Sequence, residues 1–311
     1  MKTAPNISKP MQLFLVSFLV SVALLLPKPS YAEVVETLQA LLLENYLSRE
    51  TAQTLVKALD DPRFMELEEK AIDNSGKVLF IEELTKELQK ISGDKHLRVM
   101  LNKPDFQADA SEIASLFSFK ALDEDVAYLE ARSFPIPTPE IQLFIANLLS
   151  QARASKALVI DLRENEGGNG AMFRFLHSFF FEASRFLIFT TYTRFNDTES
   201  ELYSQLDLPG ERLPEIPLFI LTSKKTFSAA EALAYSLQAF KRATVVGEMT
   251  RGGGNMNSFF SLPSGYYASI STTSVTHAAT KTNWEGVGII PDVQVASGEA
   301  LEKVLEIIGL E

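Results

Sequence analysis

The sequence lacks cysteine altogether and contains only three histidines and one tryptophan in 311 residues. The absence of cysteine excludes thiol catalysis, disulfides and sites built on thiolate ligands, such as zinc ribbons and iron–sulfur clusters. Basic residues are also in deficit, with 29 against 40 acidic residues and a formal net charge of −11 at pH 7. This charge is unsuited to general binding of nucleic acid or anionic membrane, because both require a basic surface.

Motifs for metals and phosphates are also missing. No H-E-x-x-H string occurs, and the glycine run at 252–254 lacks the lysine and hydroxyl residue of a phosphate loop. The histidines are too scattered in the chain to predict a metal site. His177 lies in an aromatic segment and is expected to be packed, whereas His277 follows a predicted strand and stays an outside candidate for chemistry. No cofactor is therefore predicted.

Apolar residues, in contrast, are plentiful. They make up 46% of the chain against 22% charged residues, which is enough for a substantial core and excludes a disordered chain. The length suits one large domain or two smaller ones.

Residues 1–32 have the three parts of a signal peptide. Lysines stand near the start, an apolar run of 16 residues covers 11–26, and a polar end finishes with Ser30-Tyr31-Ala32. Small residues occupy the two positions that a signal peptidase reads, which predicts cleavage after Ala32. The alternative is an uncleaved anchor, but a run of 16 residues is shorter than the roughly 20 that span a bilayer.

Cleavage at this position predicts an exported protein, in the bacterial periplasm or outside the cell, without stable membrane insertion. Residues 1–32 contain three lysines and no acidic residue, so their removal changes the net charge from −11 to −14. A polyanionic partner such as nucleic acid is then still less expected.

Helical spacing dominates the next segment. Three apolar runs occupy residues 33–92: Val35, Leu38 and Leu42; Ala52, Leu55 and Leu59, after Ser48; and Leu84, Leu88 and Ile91. Short polar links separate the runs, which predicts a small helical bundle that ends at Gly93. We assign residues 33–100 to this N-terminal helical segment and residues 101–311 to a second domain.

Strands and helices alternate in the second domain. Predicted strands cover 126–131, 157–160, 217–222 and 244–246, and predicted helices follow Thr138, include Phe173 to Phe180, and run from Ser228 to Phe240. This alternation predicts an α/β core with right-handed crossovers. A hairpin is predicted at 256–275 around Pro263-Ser264-Gly265, and an amphipathic helix closes the chain.

Ser228 stands at the start of a predicted helix, directly after a strand and a short turn. In that position its oxygen lies near free backbone N–H groups and the positive end of the helix dipole, which stabilise an alkoxide or a bound oxyanion. The string Ser228-Ala-Ala-Glu231 is equally an ordinary capping box. The residues alone leave both interpretations open.

A glycine pair, Gly167 and Gly168, follows the predicted strand at 157–160. Such a pair lets the backbone turn sharply and expose N–H groups, and ligands of open α/β sheets bind at the carboxyl ends of strands. An ordinary loop before a helix would use the same residues.

Four strings in one order resemble the tail-specific (C-terminal processing) serine protease family. They are ALVIDLRENEGG at 157–168, LTSKKTFSAAE at 221–231, RATVVGE at 242–248, and NWEGVG at 283–288 with Pro291-Asp292 after it. The similarity extends from about residue 90 to 295 and is greatest to the branch with interphotoreceptor retinoid-binding protein and the tricorn protease core. It implies a ClpP/crotonase-like α/β core behind the helical bundle, with 101–311 as the catalytic domain.

A PDZ domain is not expected, although many members of the family contain one. Only 60 positions separate residues 97 and 156, and a strand and a helix are already predicted among them. A PDZ module needs roughly 80–100 residues. Substrate choice would then depend on the cleft between the helical segment and the α/β core.

The resemblance implies that Ser228 is a nucleophile and that the substrate is a peptide or protein. Members with a Ser–Lys dyad carry the lysine 25 positions after the serine, where this sequence has Gly253. His96 instead matches the base of the other branch, and a neutral imidazole suits that role. Tricorn-like members have a serine beside the histidine, whereas Lys95 stands here.

The remaining site residues are also implied by the resemblance. Glu285 lies where tricorn-like members carry a catalytic glutamate, and Glu231 is the alternative acid. Backbone N–H groups of Ala229 and Gly168 would hold the oxyanion, with Gly167 as the alternate to Gly168.

A binding protein on the same fold is the rival function. Retinoid-binding relatives hold apolar ligands, and 22 phenylalanines are available either to line such a pocket or to fill the core. A pure binding module would not require Ser228, His96 and Glu285 together, which favours the peptidase.

Overall fold

The computed structural model describes residues 32–122 and 125–309. The predicted signal peptide therefore lies outside the described residues, apart from Ala32 at its end. Within the described part of the chain, every helix is too short or too polar to cross a bilayer.

Helices and strands are numbered in chain order. The helices are α1 Ala32–Asn45, α2 Arg49–Leu59, α3 Pro62–Lys70, α4 Asn74–Ser92, α5 Ala110–Leu116, α6 Pro139–Ser150, α7 Gly170–Ser178, α8 Ala229–Ala239 and α9 Ala300–Ile308. The strands are β1 Arg98–Met100, β2 Phe117–Leu122, β3 Val126–Ala131, β4 Ala157–Asp161, β5 Leu187–Thr193, β6 Thr198–Tyr203, β7 Leu218–Thr222, β8 Thr244–Gly247, β9 Met256–Ser261, β10 Tyr267–His277 and β11 Val293–Gln294.

The N-terminal bundle consists of α1 to α4, which is one helix more than the three predicted runs, because α3 was not predicted. Ser48 caps α2 by accepting the N–H of Thr51, and Asp73 caps α4 by accepting the N–H of Gly76. Gly93 ends α4 with a φ of 71°, a left-handed conformation that favours glycine. This sharp end directs the chain into the short segment that carries His96.

The larger sheet is parallel except at one edge. Its strands lie in the order β11-β8-β7-β4-β3-β2, and only β2 runs antiparallel to its neighbour. All residues of β4 and β7 are buried, which explains their continuous apolar runs. Helices α6, α7 and α8 cover one face and α9 the other. The predicted α/β class is confirmed.

A second sheet contains β1, β10, β5 and β6 in that order, with β9 paired to β10. The predicted hairpin is the β9–β10 pair, whereas β5 and β6 were not predicted. The aromatic helix is shorter than expected: α7 ends at Ser178, and Phe179 is its C-cap. Between β1 and β3 the described residues contain only α5 and β2.

The bundle packs directly against the second sheet. Leu97 and Val99 belong to the same buried cluster as bundle residues of α4 and residues of β10. In that cluster the rings of Phe80 and Tyr266 meet edge to face, with centroids 5.8 Å apart. The segment at 94–100 is therefore fixed between the two parts, and this packing sets the position of His96.

Candidate active site

Ser228 lies at a tight elbow between β7 and α8. Its φ of 54° and ψ of −121° are unusual for a residue other than glycine. Strained backbone of this kind persists where surrounding contacts hold it, and it is concentrated at functional sites. The elbow presents Ser228 Oγ to His96, with 2.9 Å between Oγ and Nε2.

His96 comes from the segment that follows the helical bundle. Asp94 Oδ1 accepts the backbone N–H groups of His96, at 2.8 Å, and of Leu97, at 3.3 Å, and so shapes the bend. The imidazole packs on Phe227, with ring centroids 4.5 Å apart. Residues 132 positions apart in the chain thus meet as a hydrogen-bonded pair.

The electrostatic environment keeps His96 neutral. Burial is the main cause that lowers its pKa to about 3, and the nearby charges of Arg98 and Arg251 act in the same direction. In the tautomer with hydrogen on Nδ1, Nε2 accepts the Ser228 hydroxyl. Nδ1 itself is buried without a hydrogen-bond partner in the part of the chain that is described.

Gly253 makes room for this imidazole. A Cβ at position 253 would lie 2.7 Å from His96 Cε1 and 2.3 Å from Phe227 Cε2. Any side chain there, including the lysine of a Ser–Lys dyad, would displace the ring. The His96 ring and a lysine at position 253 therefore could not occupy this site together.

Glu231 is fully buried and has the role of a structural clamp. Its carboxylate accepts the N–H groups of Ser228 at 2.8 Å, Gly252 at 2.7 Å and Gly253 at 2.8 Å, as well as the Thr250 hydroxyl. Burial raises its pKa, and these hydrogen bonds oppose the rise. These hydrogen bonds connect the elbow at Ser228 to the loop beside the imidazole.

Glu285 holds the next part of the same loop. Its Oε2 accepts the N–H groups of Gly254 at 2.6 Å and Asn255 at 2.7 Å. Burial raises the pKa of Glu285 to about 7, and the charge of Asp94 adds to the rise. Among the described residues, neither Glu285 nor Glu231 makes a hydrogen bond to the imidazole. The structure thus brings Ser228 and His96 into contact, whereas both carboxylates bind backbone N–H groups of the neighbouring loop and not the imidazole.

The glycine pair passes directly beside Ser228. A Cβ on Gly167 would lie 2.8 Å from the Cβ of Ser228 and 3.1 Å from the Ala229 nitrogen. The N–H of Gly167 donates to Asn165 Oδ1 at 2.8 Å. The N–H groups of Gly168 and Ala229 have no acceptor within the described ranges. This geometry favours Gly168 over Gly167 as an oxyanion donor.

Asn165 organises this corner and was missed by the sequence analysis. It is fully buried, and its side-chain amide donates to the Ala131 carbonyl at 3.0 Å. Its backbone carbonyl accepts the N–H of Phe227 at 3.1 Å. It therefore links β3, the glycine pair and the elbow. The only signal was its place two residues before Gly167, which does not by itself distinguish it from a loop asparagine.

The other two histidines form a separate buried cluster. Nε2 of His177 and Nε2 of His277 lie 3.0 and 3.3 Å from Ser236 Oγ. All three residues are inaccessible to solvent and lie among aromatic rings that include Phe240. Burial is the largest cause that lowers the pKa of His177 to about 3 and that of His277 to about 4.

The Ser228–His96 pair opens onto a cleft of about 670 Å³. Apolar side chains form most of its walls, among them Phe106, Phe173 and Trp284. The lining also includes Arg98, whose position the sequence analysis did not anticipate. A mainly apolar cleft beside Ser228 suits side chains of a peptide.

Two family models match the chain. The model for peptidase family S41 matches residues 125–295, and the model for the N-terminal domain of peptidase S41 in eukaryotic IRBP matches residues 21–131. A carboxyl-terminal-processing protease of Picosynechococcus sp. is 29% identical over 173 residues, which are 54% of this chain and 39% of that protein. The chain thus matches about two fifths of the length of such curated relatives.

Solved structures show the same fold. A putative peptidase from Parabacteroides merdae ATCC 43184 has a TM-score of 0.62 at 21% identity, over 90% of this chain and 96% of that chain. The tricorn protease has a TM-score of 0.56 at 11% identity, over 90% of this chain and 36% of that chain. With the family match at 125–295 and the IRBP-type match before it, the chain belongs to peptidase family S41.

Proposed function

We propose that the chain is a serine peptidase in which Ser228 is the nucleophile and His96 the general base. The observation that carries the proposal is the 2.9 Å contact between Ser228 Oγ and His96 Nε2 in an open cleft. His96 accepts the hydroxyl proton as Oγ attacks the scissile carbonyl, and returns it to the leaving amine. Water, which gives its proton to His96, then attacks the acyl-enzyme and releases the acyl group from Ser228 Oγ.

The oxyanion is assigned to two backbone donors, Ala229 and Gly168. Both N–H groups flank the elbow and are free of acceptors in the described part of the chain. They can strengthen their hydrogen bonds as negative charge develops on the carbonyl oxygen. The N-terminus of α8 adds a positive potential at the same place.

Glu285 is the proposed support of the base, with Glu231 as the alternative. The hydrogen bonds of Glu285 hold Gly254 and Asn255, immediately after the glycine that faces the imidazole. This arrangement supports a positioning role. The four donors on Glu231 give it the corresponding role for the elbow.

The substrate class is a peptide or protein, because the named relatives are carboxyl-terminal-processing proteases. We further propose export through cleavage after Ala32, to the periplasm or beyond the cell. The net charge of −11 gives no basis for a nucleic-acid partner.

A binding protein for apolar ligands or peptides is the second candidate. It is favoured by the mainly apolar walls of the cleft, which suit a hydrophobic guest. The free oxyanion donors and the strained serine have no use in such a protein.

A peptide-digestion experiment separates the two candidates. Purified protein is incubated with a mixture of peptides of known sequence, and new termini are identified by mass spectrometry. We expect cleavages by the wild type that Ser228→Ala and His96→Ala fail to produce. Identical spectra for the wild type and Ser228→Ala, with both proteins folded, would contradict the peptidase.

A further inference from the structure

We propose that Trp284 is a positioning residue for the general base: its indole N–H holds the carbonyl of Gly253, and so fixes the backbone against which the His96 ring packs. The inference rests on the proposed peptidase function and deepens it. It assigns a role to the single tryptophan of the chain, which stands directly before Glu285.

The orientation of the His96 ring depends on packing. Nε2 contacts Ser228 Oγ at 2.9 Å, but Nδ1 is buried without a hydrogen-bond partner in the described part of the chain. In a Ser–His–Asp triad, an acid that accepts the hydrogen on the second ring nitrogen holds the imidazole in place. Here the surfaces that touch the ring must supply this restraint.

Gly253 forms one of these surfaces and Phe227 forms another. A Cβ added to Gly253 would lie 2.7 Å from His96 Cε1, so the backbone of the glycine lies close to the imidazole. The rings of His96 and Phe227 have their centroids 4.5 Å apart. A shift of the peptide groups at Gly253 would therefore push the imidazole or leave it room to turn.

Trp284 and Glu285 together bind both polar atoms of one peptide group, which joins Gly253 and Gly254. Its carbonyl accepts the indole N–H at 3.0 Å, and its N–H donates to Glu285 Oε2 at 2.6 Å. The N–H of the preceding peptide group, on Gly253, donates to Glu231 at 2.8 Å. A peptide group bonded at both ends cannot rotate without leaving polar atoms unsatisfied.

The indole bond is well protected. Trp284 is buried, and its ring packs on Tyr235, with centroids 4.8 Å apart, and on Phe189, at 6.0 Å. An indole nitrogen can only donate, and a buried donor that loses its acceptor is costly. The aromatic contacts therefore keep the N–H directed at Gly253.

The ring of Trp284 has a second contact, because it also lines the cleft beside Ser228. The two contacts predict different kinetic effects. Loss of ring area weakens binding of the substrate and raises KM, whereas a displaced base lowers kcat and leaves KM unchanged. A change that removes the N–H and keeps the ring separates them.

The test replaces Trp284 by 3-benzothienylalanine, whose ring has nearly the shape of indole but carries sulfur in place of the N–H. We expect kcat for a cleaved peptide to fall about 10-fold or more, because small displacements of a reacting group are costly, with KM within about 2-fold of the wild type. Unchanged kcat would overturn the inference. A rise in KM alone would show that Trp284 only lines the cleft, and would overturn it as well.

Two aromatic substitutions complete the series. Trp284→Phe should lower kcat at least as much and also raise KM, since both the N–H and ring area are lost. Tyr235→Phe is the matched control: it keeps a ring against the indole and removes a hydroxyl that contacts Thr280 Oγ1 at an exposed position, 2.9 Å away. Its kcat should stay within about 2-fold of the wild type.

Coupling to His96 distinguishes positioning from a general loss of structure. The benzothienyl analogue should slow labelling of Ser228 by a fluorophosphonate probe in the wild-type background, and should cause no further slowing in His96→Ala. Equal slowing in both backgrounds would overturn the inference. Wild-type protein that neither cleaves peptides nor takes the label would instead contradict the proposed function itself.

One measurement needs only the wild type, and decides if the analogue does not fold. A single tryptophan gives a single indole N–H signal in NMR. Because this hydrogen is buried and bonded to Gly253, its exchange with deuterium should be at least about 10²-fold slower than that of a free indole. Exchange at the free rate in folded protein would overturn the inference.

Discussion

Among the described residues two serines contact histidine rings, one directly before α8 and one inside it. Ser228 precedes α8 and lies 2.9 Å from His96 Nε2, whereas Ser236 lies inside α8 and is 3.0 Å from His177 Nε2. Distances and pKa directions are nearly the same, since burial lowers the pKa of each histidine to about 3. A short Ser–His contact is therefore not sufficient evidence for a catalytic site.

The surroundings of the two pairs differ. Ser228 has a strained backbone, adjoins two free N–H groups and opens onto the cleft. Ser236 is buried in the middle of a helix, where backbone N–H groups are already used and aromatic rings exclude substrate. Access and oxyanion donors separate a reactive serine from one that satisfies buried imidazoles.

Replacement of each serine by alanine should give the largest difference in kcat between the two sites. Ser228→Ala is expected to lower kcat for a cleaved peptide by about 10⁴-fold or more, since the nucleophile is lost. Ser236→Ala should change kcat less than about 3-fold, because Ser236 does not reach the cleft. Steady-state kinetics with a fluorogenic peptide measures both. A similar loss in the two variants would remove the distinction.

The next largest difference in kcat is expected between substitutions at the proposed oxyanion donor Gly168 and at nearby Gly170. Gly168 has a φ of 131°, and a Cβ there would lie 2.2 Å from the Phe134 carbonyl oxygen, so Gly168→Ala must move its peptide group. We expect a fall in kcat of about 10²- to 10³-fold in folded protein. Gly170→Ala is the matched control, since a Cβ on Gly170 meets no atom within 4 Å. Unchanged kcat in folded Gly168→Ala would contradict the assignment.

Ser236 should matter for stability instead. Its removal leaves His177 and His277 without a shared partner in a buried site, which should lower the free energy of unfolding by about 1–3 kcal/mol. Ser115→Ala, at an exposed position of α5, should change it by less than about 0.5 kcal/mol. Urea denaturation compares the two variants. Equal effects would mean that the buried cluster carries no special cost.

The smallest expected effect is in the titration of the imidazoles. Burial lowers the pKa of His96, His177 and His277, so all three should stay neutral between pH 8 and 5. As the pH falls below about 6.5, the histidines take up protons in the unfolded chain before they do so in the folded protein. The free energy of unfolding should therefore be higher above about pH 6.5 and decrease as the pH falls. Imidazole NMR signals should therefore not shift across pH 8 to 5. A midpoint above pH 6 for any of them would contradict this account.

Elements with a strong local signal were predictable. The continuous apolar runs of β4 and β7 and the start of α8 follow from the sequence, because burial on both faces and capping leave clear patterns. Strands β5 and β6 were missed, because β5 depends on pairing with β10 and β6 is largely exposed. Such strands acquire their register from tertiary contacts rather than from alternation.

The site was predictable only in part. Ser228 has a local signature, but His96 was found through the family resemblance, since no local pattern links residues 132 positions apart. Asn165 carries no signal of its own and gains its role from packing. The prediction that Glu285 supports the base remains a prediction, because its carboxylate binds loop amides and not the imidazole.

The most direct measurement is the stoichiometry and position of labelling by a fluorophosphonate probe, read by intact mass and peptide mapping. The account predicts one label per chain on Ser228, none on Ser236, no labelling of Ser228→Ala and much slower labelling of His96→Ala. Folded wild-type protein that takes no label, or takes it at another serine, would contradict the central claim.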